Sequence, residues 1–257
     1  MARTHFLLWV SFIALLAPLD LVAEWRVATR GDQPSAPGGM GAFAVNLVDG
    51  SNSARLMGVW FSAYQYEFRL VPNLDGSYSS VRQVVEQRKA VAGINGGYFK
   101  QISLPVGLLV SGGKTIHPIE RAKLLSGVLA VRNGLPELRR TSEFAGTRGV
   151  GEAIQCGPFL VEQGRAVSGL NNSREAARSF VFVTDNADWG LAICRSVTLR
   201  QLAEILVAPG LLPKARITRA LNLDGGSSTS FYFKTGQSEL SSPGWVAVSN
   251  YLTVTSK

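Results

Sequence analysis

Histidine and cysteine each occur only twice in 257 residues, and methionine three times. Two thiols, Cys156 and Cys194, with two imidazoles make a poor structural zinc set, and the wide cysteine spacing excludes a thioredoxin-like pair. Charge is sparse at 17%; the 26 lysines and arginines exceed the 18 acids for a formal +8, but they are scattered. A chain without a basic run or a basic reading helix is not built to bind nucleic acid, so the positive excess points to an anionic glycan or phosphate. Beyond the N-terminus no segment approaches the ~20 apolar residues a spanning helix needs. Regular strand–helix alternation and repeats of fixed period are also missing, which excludes doubly wound and solenoid folds.

What is present is a hydrophobic fraction of 46%, with 27 glycines and 11 prolines spread along the chain. That composition suits a globular, turn-rich β domain. The opening "MARTHFLLWVSFIALLAPLDLVAEW" has an early cation, a short apolar block and small residues after it. It reads as a signal peptide over 1–23, cut after Ala17 or Ala23, with an uncleaved anchor as the alternative. The expected address is periplasmic or secreted, with no membrane span once the signal is removed. Residues 24–40, with "RGDQPSAPGGMG", read as a loose lead-in, and 41–257 as one domain.

Strand-like alternation marks "AFAVNLVD", "RLMGVWFS" and "YEFRLV". Helical spacing of Val81, Val84 and Val85 follows, with Ser79 or Ser80 as N-cap. Hairpins are expected around Ser111-Gly112-Gly113, Asn133-Gly134, Gln163-Gly164 and Asp185–Asp188. Thr198 caps a second helix, "LRQLAEILVA", which Pro209-Gly210 ends. The predicted class is α+β: a single domain of successive β-hairpins and mixed sheet with a few packed helices.

Two segments share a design. "INGGYF" (94–99) and "LNLDGGSS" (221–228) each end an apolar strand in polar side chains beside a Gly-Gly pair. Such an edge fixes a side chain on rigid backbone while the glycines allow unusual dihedrals beyond it, and two such edges can share one cleft. The plain alternative is a pair of turns, because Asn-Gly and Asp-Gly are hairpin dipeptides.

The ordered fragments "NGGYF", "PVGLLVSGGK", "QCGPFLVEQGR", "ARSFVFVTDNADWGL", "TLRQLAEIL", "ALNLDGGSSTSFYF" and "VSNYLTV", over roughly residues 40–255, resemble the phosphodiester glycosidase family. This is the family of the lysosomal uncovering enzyme and of exported bacterial proteins. The resemblance implies a hydrolase that cleaves the sugar–phosphate bond of a sugar-1-phosphodiester on the sugar side, in exopolysaccharide or envelope metabolism. Asp224 would be nucleophile or base, Arg178 would hold the phosphate, and Asn95 would complete the catalytic set. Asn222, Gly225, Gly226, Ser227 and Gln155 would bind substrate, with packing as the alternative for Gln155 and for Tyr98. Ser227 stands where the eukaryotic form has a third glycine. One carboxylate can suffice where most glycosidases use two, because a phosphodiester is already a good leaving group. Glu120 and Glu152 are the candidates for any second acid.

No cofactor or metal is called for, and the expected partner is a carbohydrate phosphodiester or anionic polysaccharide. The rival is a non-catalytic envelope protein that binds anionic polysaccharide. A metal-dependent phosphoesterase using Asp224, Asp185 and Asp188 is disfavoured, since the last two sit at a hairpin tip. Arg178 pairing with Glu175 is the ordinary alternative to phosphate binding. Trp60, Trp189 and Trp245 are expected to pack in the core or hairpins, with sugar stacking as the alternative. Export and an even cysteine count predict a Cys156–Cys194 bridge closing about 38 residues, worth roughly 3–4 kcal/mol in the chain-entropy model; two separate buried thiols are the alternative.

Overall fold

The structure, a computed structural model, describes residues 24–31, 35–36, 39–101, 104–236 and 238–257; the expected signal peptide lies outside them. The class expectation needs correction. The described residues are mostly β, with only two α-helices, α1 (Val81–Gln87) and α2 (Leu199–Leu206). The strand pairings among them are antiparallel, so the sheets are not mixed. The reason lies in the connections: antiparallel neighbours need only two-residue turns, whereas parallel ones need long crossovers. Asn133-Gly134 and Gln163-Gly164 supply such turns with positive φ at both positions (50° and 78°, 49° and 73°).

A nine-stranded sheet runs in the order Arg26–Arg30, Met40–Asp49, Asn52–Ser62, Asp188–Val197, Ala176–Thr184, Ile217–Asn222, Phe159–Glu162 and Arg165–Ala166, with Ser35–Ala36 added beside Met40–Asp49. The segment expected as a loose lead-in therefore contributes an edge strand, and its Trp25 is buried. A five-stranded sheet has Val150–Cys156 at its centre and Lys114–His117 and Leu135–Arg140 at its edges. Another five-stranded sheet has Ala92–Asn95 at its centre, flanked by Phe231–Thr235 and Asn250–Ser256, with Ser238–Ser242 and Tyr66–Pro72 at its edges.

Strand periodicity sorts the core. Val181 of Ala176–Thr184 joins the cluster that also holds Ile94, Ile154 and Leu252, from the two smaller sheets. Phe180 and Phe182 point the other way, into a cluster completed by Leu202, Ile205 and Leu206 of α2. The helix caps fall where the sequence placed them: Ser80 accepts from the Gln83 N–H, and Thr198 forms a reciprocal capping box with Gln201.

The expected disulfide is absent. Cys156 and Cys194 are free, fully buried and in different clusters on opposite faces of the large sheet, so no bridge can join them. Burial pushes each thiol up to about 12. We expect two titratable thiols in denatured, unreduced protein and almost none in native protein; zero thiols in the denatured sample would restore the bridge.

Candidate active site

The chain passes from one sheet to another at "LNLDGGSSTSFYF". Ile217–Asn222 belongs to the large sheet and Phe231–Thr235 to the sheet around Ala92–Asn95, so this stretch is no hairpin. A second switch occurs at Gly157-Pro158, between Val150–Cys156 and Phe159–Glu162. Strand ends from different sheets meet here, and the two glycine-rich segments interlock.

The Asp224 N–H donates to the Gly96 carbonyl (3.1 Å), and Asn95 Nδ2 donates to the Asp224 carbonyl (2.8 Å). Asn95 Oδ1 accepts from Ser179 Oγ (2.6 Å) and the Ser230 N–H (3.1 Å). Asn95 is fully buried, so its side chain is a tether for the Asp224 backbone rather than a group that reaches substrate. The Gly-Gly pair of the first segment has its own reason. A Cβ on Gly96 would stand 1.8 Å from Asn250 Oδ1, the atom that accepts the Gly97 N–H at 2.9 Å.

These contacts leave a cleft of about 350 Å³ lined by Tyr98, Leu124, Asn171, Arg174, Ala176, Arg178, Leu199, Asn222, Asp224, Gly225 and Gly226. Asp224 is the one carboxylate in that lining. Its Oδ1 accepts from the Gly225 N–H (2.9 Å) and its carboxylate from the Ser228 hydroxyl. Burial raises its pKa, against the lowering effect of those two donors. Gly225 packs over Ala177, and a Cβ there would meet the Ala177 carbonyl at 2.8 Å and Arg178 Cδ at 3.8 Å, so the Asp224 loop lies directly against the arginine.

Arg178 is half-buried, with Nε donating to the Val197 carbonyl (3.2 Å) and Nη2 to the Arg174 carbonyl (2.7 Å). Burial lowers its pKa, and the charge of Arg174 adds to the effect. Among the described residues neither arginine forms an ion pair, so Arg178 does not bridge to Glu175. Two cations beside one cleft, neither of them ion-paired, are suited to an anionic ligand.

Asn222 Nδ2 donates to the Gly157 carbonyl (2.9 Å) and to Tyr98 Oη (3.1 Å), and Tyr98 Oη donates to the same carbonyl (2.6 Å). Burial, with the Asp224 carboxylate nearby, holds the Tyr98 phenol far above its ordinary range, so it stays a neutral donor. Asn222 Oδ1 is buried and has no hydrogen-bond partner among the described residues. An orphaned acceptor in a cleft wall costs about 1–3 kcal/mol unless a ligand hydroxyl meets it.

Other expectations land elsewhere. Gln155 is fully buried and saturated: Nε2 donates to the Glu120 and Leu125 carbonyls and Oε1 accepts the Leu108 and Glu120 N–H groups. It braces a loop and does not line the cleft. Ser227 is exposed, its carbonyl accepting the Trp245 N–H; Ser228 is the serine at Asp224. Glu152 is spent on the Leu70 and Gly112 N–H groups and Arg69, and Glu120 on the Gly107 N–H. Asp185 and Asp188 stand at their hairpin turn, outside the cleft, and no metal-binding group of three or more His, Cys, Asp or Glu occurs among the described residues. Sequence reasoning missed Arg174, Ser228 and Asn250. Only spacing hinted at the first two, each four residues from Arg178 or Asp224.

The family model for phosphodiester glycosidase matches residues 88–255, which include every cleft residue. The chain belongs to the phosphodiester glycosidase family. This is a family of hydrolases. No match is found among curated proteins. Among solved structures, the catalytic domain of zebrafish N-acetylglucosamine-1-phosphodiester alpha-N-acetylglucosaminidase, auto-inhibited by its pro-peptide, is similar with a TM-score of 0.62 at 16% identity, covering 91% of this chain and 88% of that one. A hypothetical protein from Synechocystis (0.58, 17% identity, 85% of this chain) is similar over 62% of its own length. A putative exported protein from Burkholderia pseudomallei K96243 matches at 0.57 and 12% identity, over 82% of this chain and 74% of that one. At these identities the shared property is the phosphodiester glycosidase fold.

Proposed function

We propose that this phosphodiester glycosidase relative hydrolyses the bond between a sugar C1 and the phosphate of a sugar-1-phosphodiester. The observation that carries the reading is a single half-buried carboxylate, Asp224, in one cleft with two arginines that form no ion pair among the described residues. Arg178, aided by Arg174, binds the diester phosphate and stabilises charge gathering on the departing oxygen. Asn222, through its bonds to Tyr98 and the Gly157 carbonyl, shapes the cleft wall beside the sugar. The C1–O bond breaks with its electron pair leaving on the phosphate, which departs as a monoester. Asp224 either takes a proton from the attacking water or bonds to C1 first and is released by water. Both routes give a free reducing sugar and a phosphomonoester.

An extracytoplasmic address in envelope glycan metabolism accompanies this reading, carried by the leader-like 1–23 segment; a mature N-terminus between Ala17 and Glu24 in the exported fraction is the expected result. No helix among the described residues is long and apolar enough to cross a membrane.

The test is product analysis on a panel of sugar-1-phosphodiesters. Reducing sugar with a phosphomonoester is expected; sugar phosphate with a free alcohol would mean phosphorus–oxygen cleavage, and binding without turnover would make the chain a glycan-binding protein. Arg178→Lys keeps the charge but loses the planar fork, so kcat/KM should fall on the order of 10-fold or more. An unchanged value would remove Arg178 from phosphate binding.

A further inference from the structure

Beyond the Asp224 cleft lies a second cationic pocket. Arg55 and Arg195 occupy directly opposed positions on neighbouring strands of the large sheet. Like charges at such a pair are unfavourable unless something neutralises them. Nothing does: neither arginine has an ion-pair partner among the described residues. With Met57, Ile193, Ser241, Ser242 and Pro243 they line a cavity of about 380 Å³. Arg195 is also fixed in place, with Nη2 donating to Oγ of the buried Ser242 at 2.6 Å. A held guanidinium next to a second, uncompensated one is a site for an anion with several oxygens.

The pocket is joined to the Asp224 cleft by a short strip of chain. Gly226 lines the cleft, and its neighbour Ser227 accepts the Trp245 N–H at 2.9 Å. Gly244 packs against Ser230, with room for a Cβ only 3.2 Å from that side chain. Pro243 then lines the second pocket. Trp245, a tryptophan expected to pack in the core or a hairpin, instead stands 84% exposed on this strip. An indole held out in water by an anchored backbone is a stacking surface for a sugar ring.

We propose that Arg55 and Arg195 form a second phosphate subsite, and that Trp245 carries the sugar between it and the Asp224 cleft. The substrate is then a glycan strand with phosphodiester links repeated along it, rather than an isolated diester. This rests on the hydrolase reading for the first cleft, but the subsite itself is a matter of binding and is tested apart from turnover.

The probes are a synthetic trimer of hexoses joined through 1-phosphodiester links and the matching monomeric methyl diester. Binding is measured with the Asp224→Asn protein, so that neither probe is consumed, and steady-state kinetics with the parent. The trimer should bind at least ~10-fold more tightly than the monomer, with a steeper salt dependence from the extra phosphate contact. Arg55→Gln/Arg195→Gln should abolish that preference in binding and in KM, leaving monomer kinetics and kcat unchanged, and Trp245→Ala should weaken the trimer alone. Both variants alter exposed residues, and unchanged melting confirms the fold. Equal trimer affinity in the Asp224→Asn protein with and without the two arginine substitutions overturns the subsite. A trimer preference that requires the arginine pair, without turnover of either probe by the parent, supports the subsite and instead overturns the hydrolase reading.

Discussion

Asp224→Asn is expected to lower turnover at least ~100-fold while the protein melts no earlier than the parent. Loss of a nucleophile or base costs roughly 2.7 kcal/mol of barrier or more. The fold loses little, because an amide oxygen still accepts the Gly225 N–H that Asp224 Oδ1 accepts. Stability can even rise. Burial holds the Asp224 pKa above its ordinary value, so the folded state favours the protonated form. The stability this confers is complete below the unfolded-state pKa and is lost as pH rises through the folded-state value. Asparagine carries no charge to bury, so the variant should match the parent in acid and melt higher at neutral pH. The parent's kcat/KM should fall as pH drops through the same raised pKa, since the carboxylate is the working form. Melting curves at two pH values and a pH–rate profile check both signs. A variant with parental rate and melting would make Asp224 an ordinary loop acid.

Gly96→Ala should be the most damaging single-methyl change in the molecule's glycine-rich motifs. Its Cβ would lie 1.8 Å from Asn250 Oδ1 and 2.9 Å from the Asn250 carbonyl, and Asn250 is itself buried. Overpacking of this kind costs about 1–3 kcal/mol, and a displaced Gly96 carbonyl also gives up its bond from the Asp224 N–H, about 1 kcal/mol more. For a domain of this size a melting drop of roughly 10 °C follows. The folded fraction should also turn over slowly, because moving the catalytic strand end by ~1 Å can cost about 100-fold. Gly97→Ala is the control: its Cβ would meet the Ile154 side chain at 3.1 and 3.2 Å, which can yield, and the Gln155 carbonyl at 3.5 Å, an ordinary contact. Comparable melting for Gly96→Ala and the parent would refute the packing account.

The turns and caps were legible because their chemistry is local. Asn133-Gly134 needs positive φ at two residues, and Ser80 and Thr198 need only a nearby orphaned N–H. The purely antiparallel pairing is not legible in the sequence, since period-2 patterning places strands without saying which ones pair. Asp224 and Asn95 were legible as strand-end residues, and the structure joins them through Asn95 Nδ2 and the Asp224 carbonyl. Their division of labour was not legible, because which polar atom faces solvent is decided by sheets meeting from distant parts of the chain. The same limit hid Arg174, and it let Cys156 and Cys194 look like a pair although the large sheet stands between them.

The outer strands of the three large sheets bear on how this protein behaves at high concentration. Such strands present unpaired N–H and C=O groups, an open template for another chain. Here Arg26–Arg30 carries an arginine at each end, Arg165–Ala166 is only two residues long, Lys114–His117 begins with lysine, and Leu135–Arg140 combines Pro136 with Arg139 and Arg140. Tyr66–Pro72 ends in proline with Arg69 exposed, and Ser238–Ser242 is short and carries Glu239. Cations outnumber acids on these borders, so two copies approaching edge to edge meet like charge before backbone. Part of the positive excess thus acts as a guard against fibril-like stacking, and neutralising the exposed Arg26 and Arg139 weakens that guard without touching the core, whereas Arg140 packs over the buried Phe159 ring.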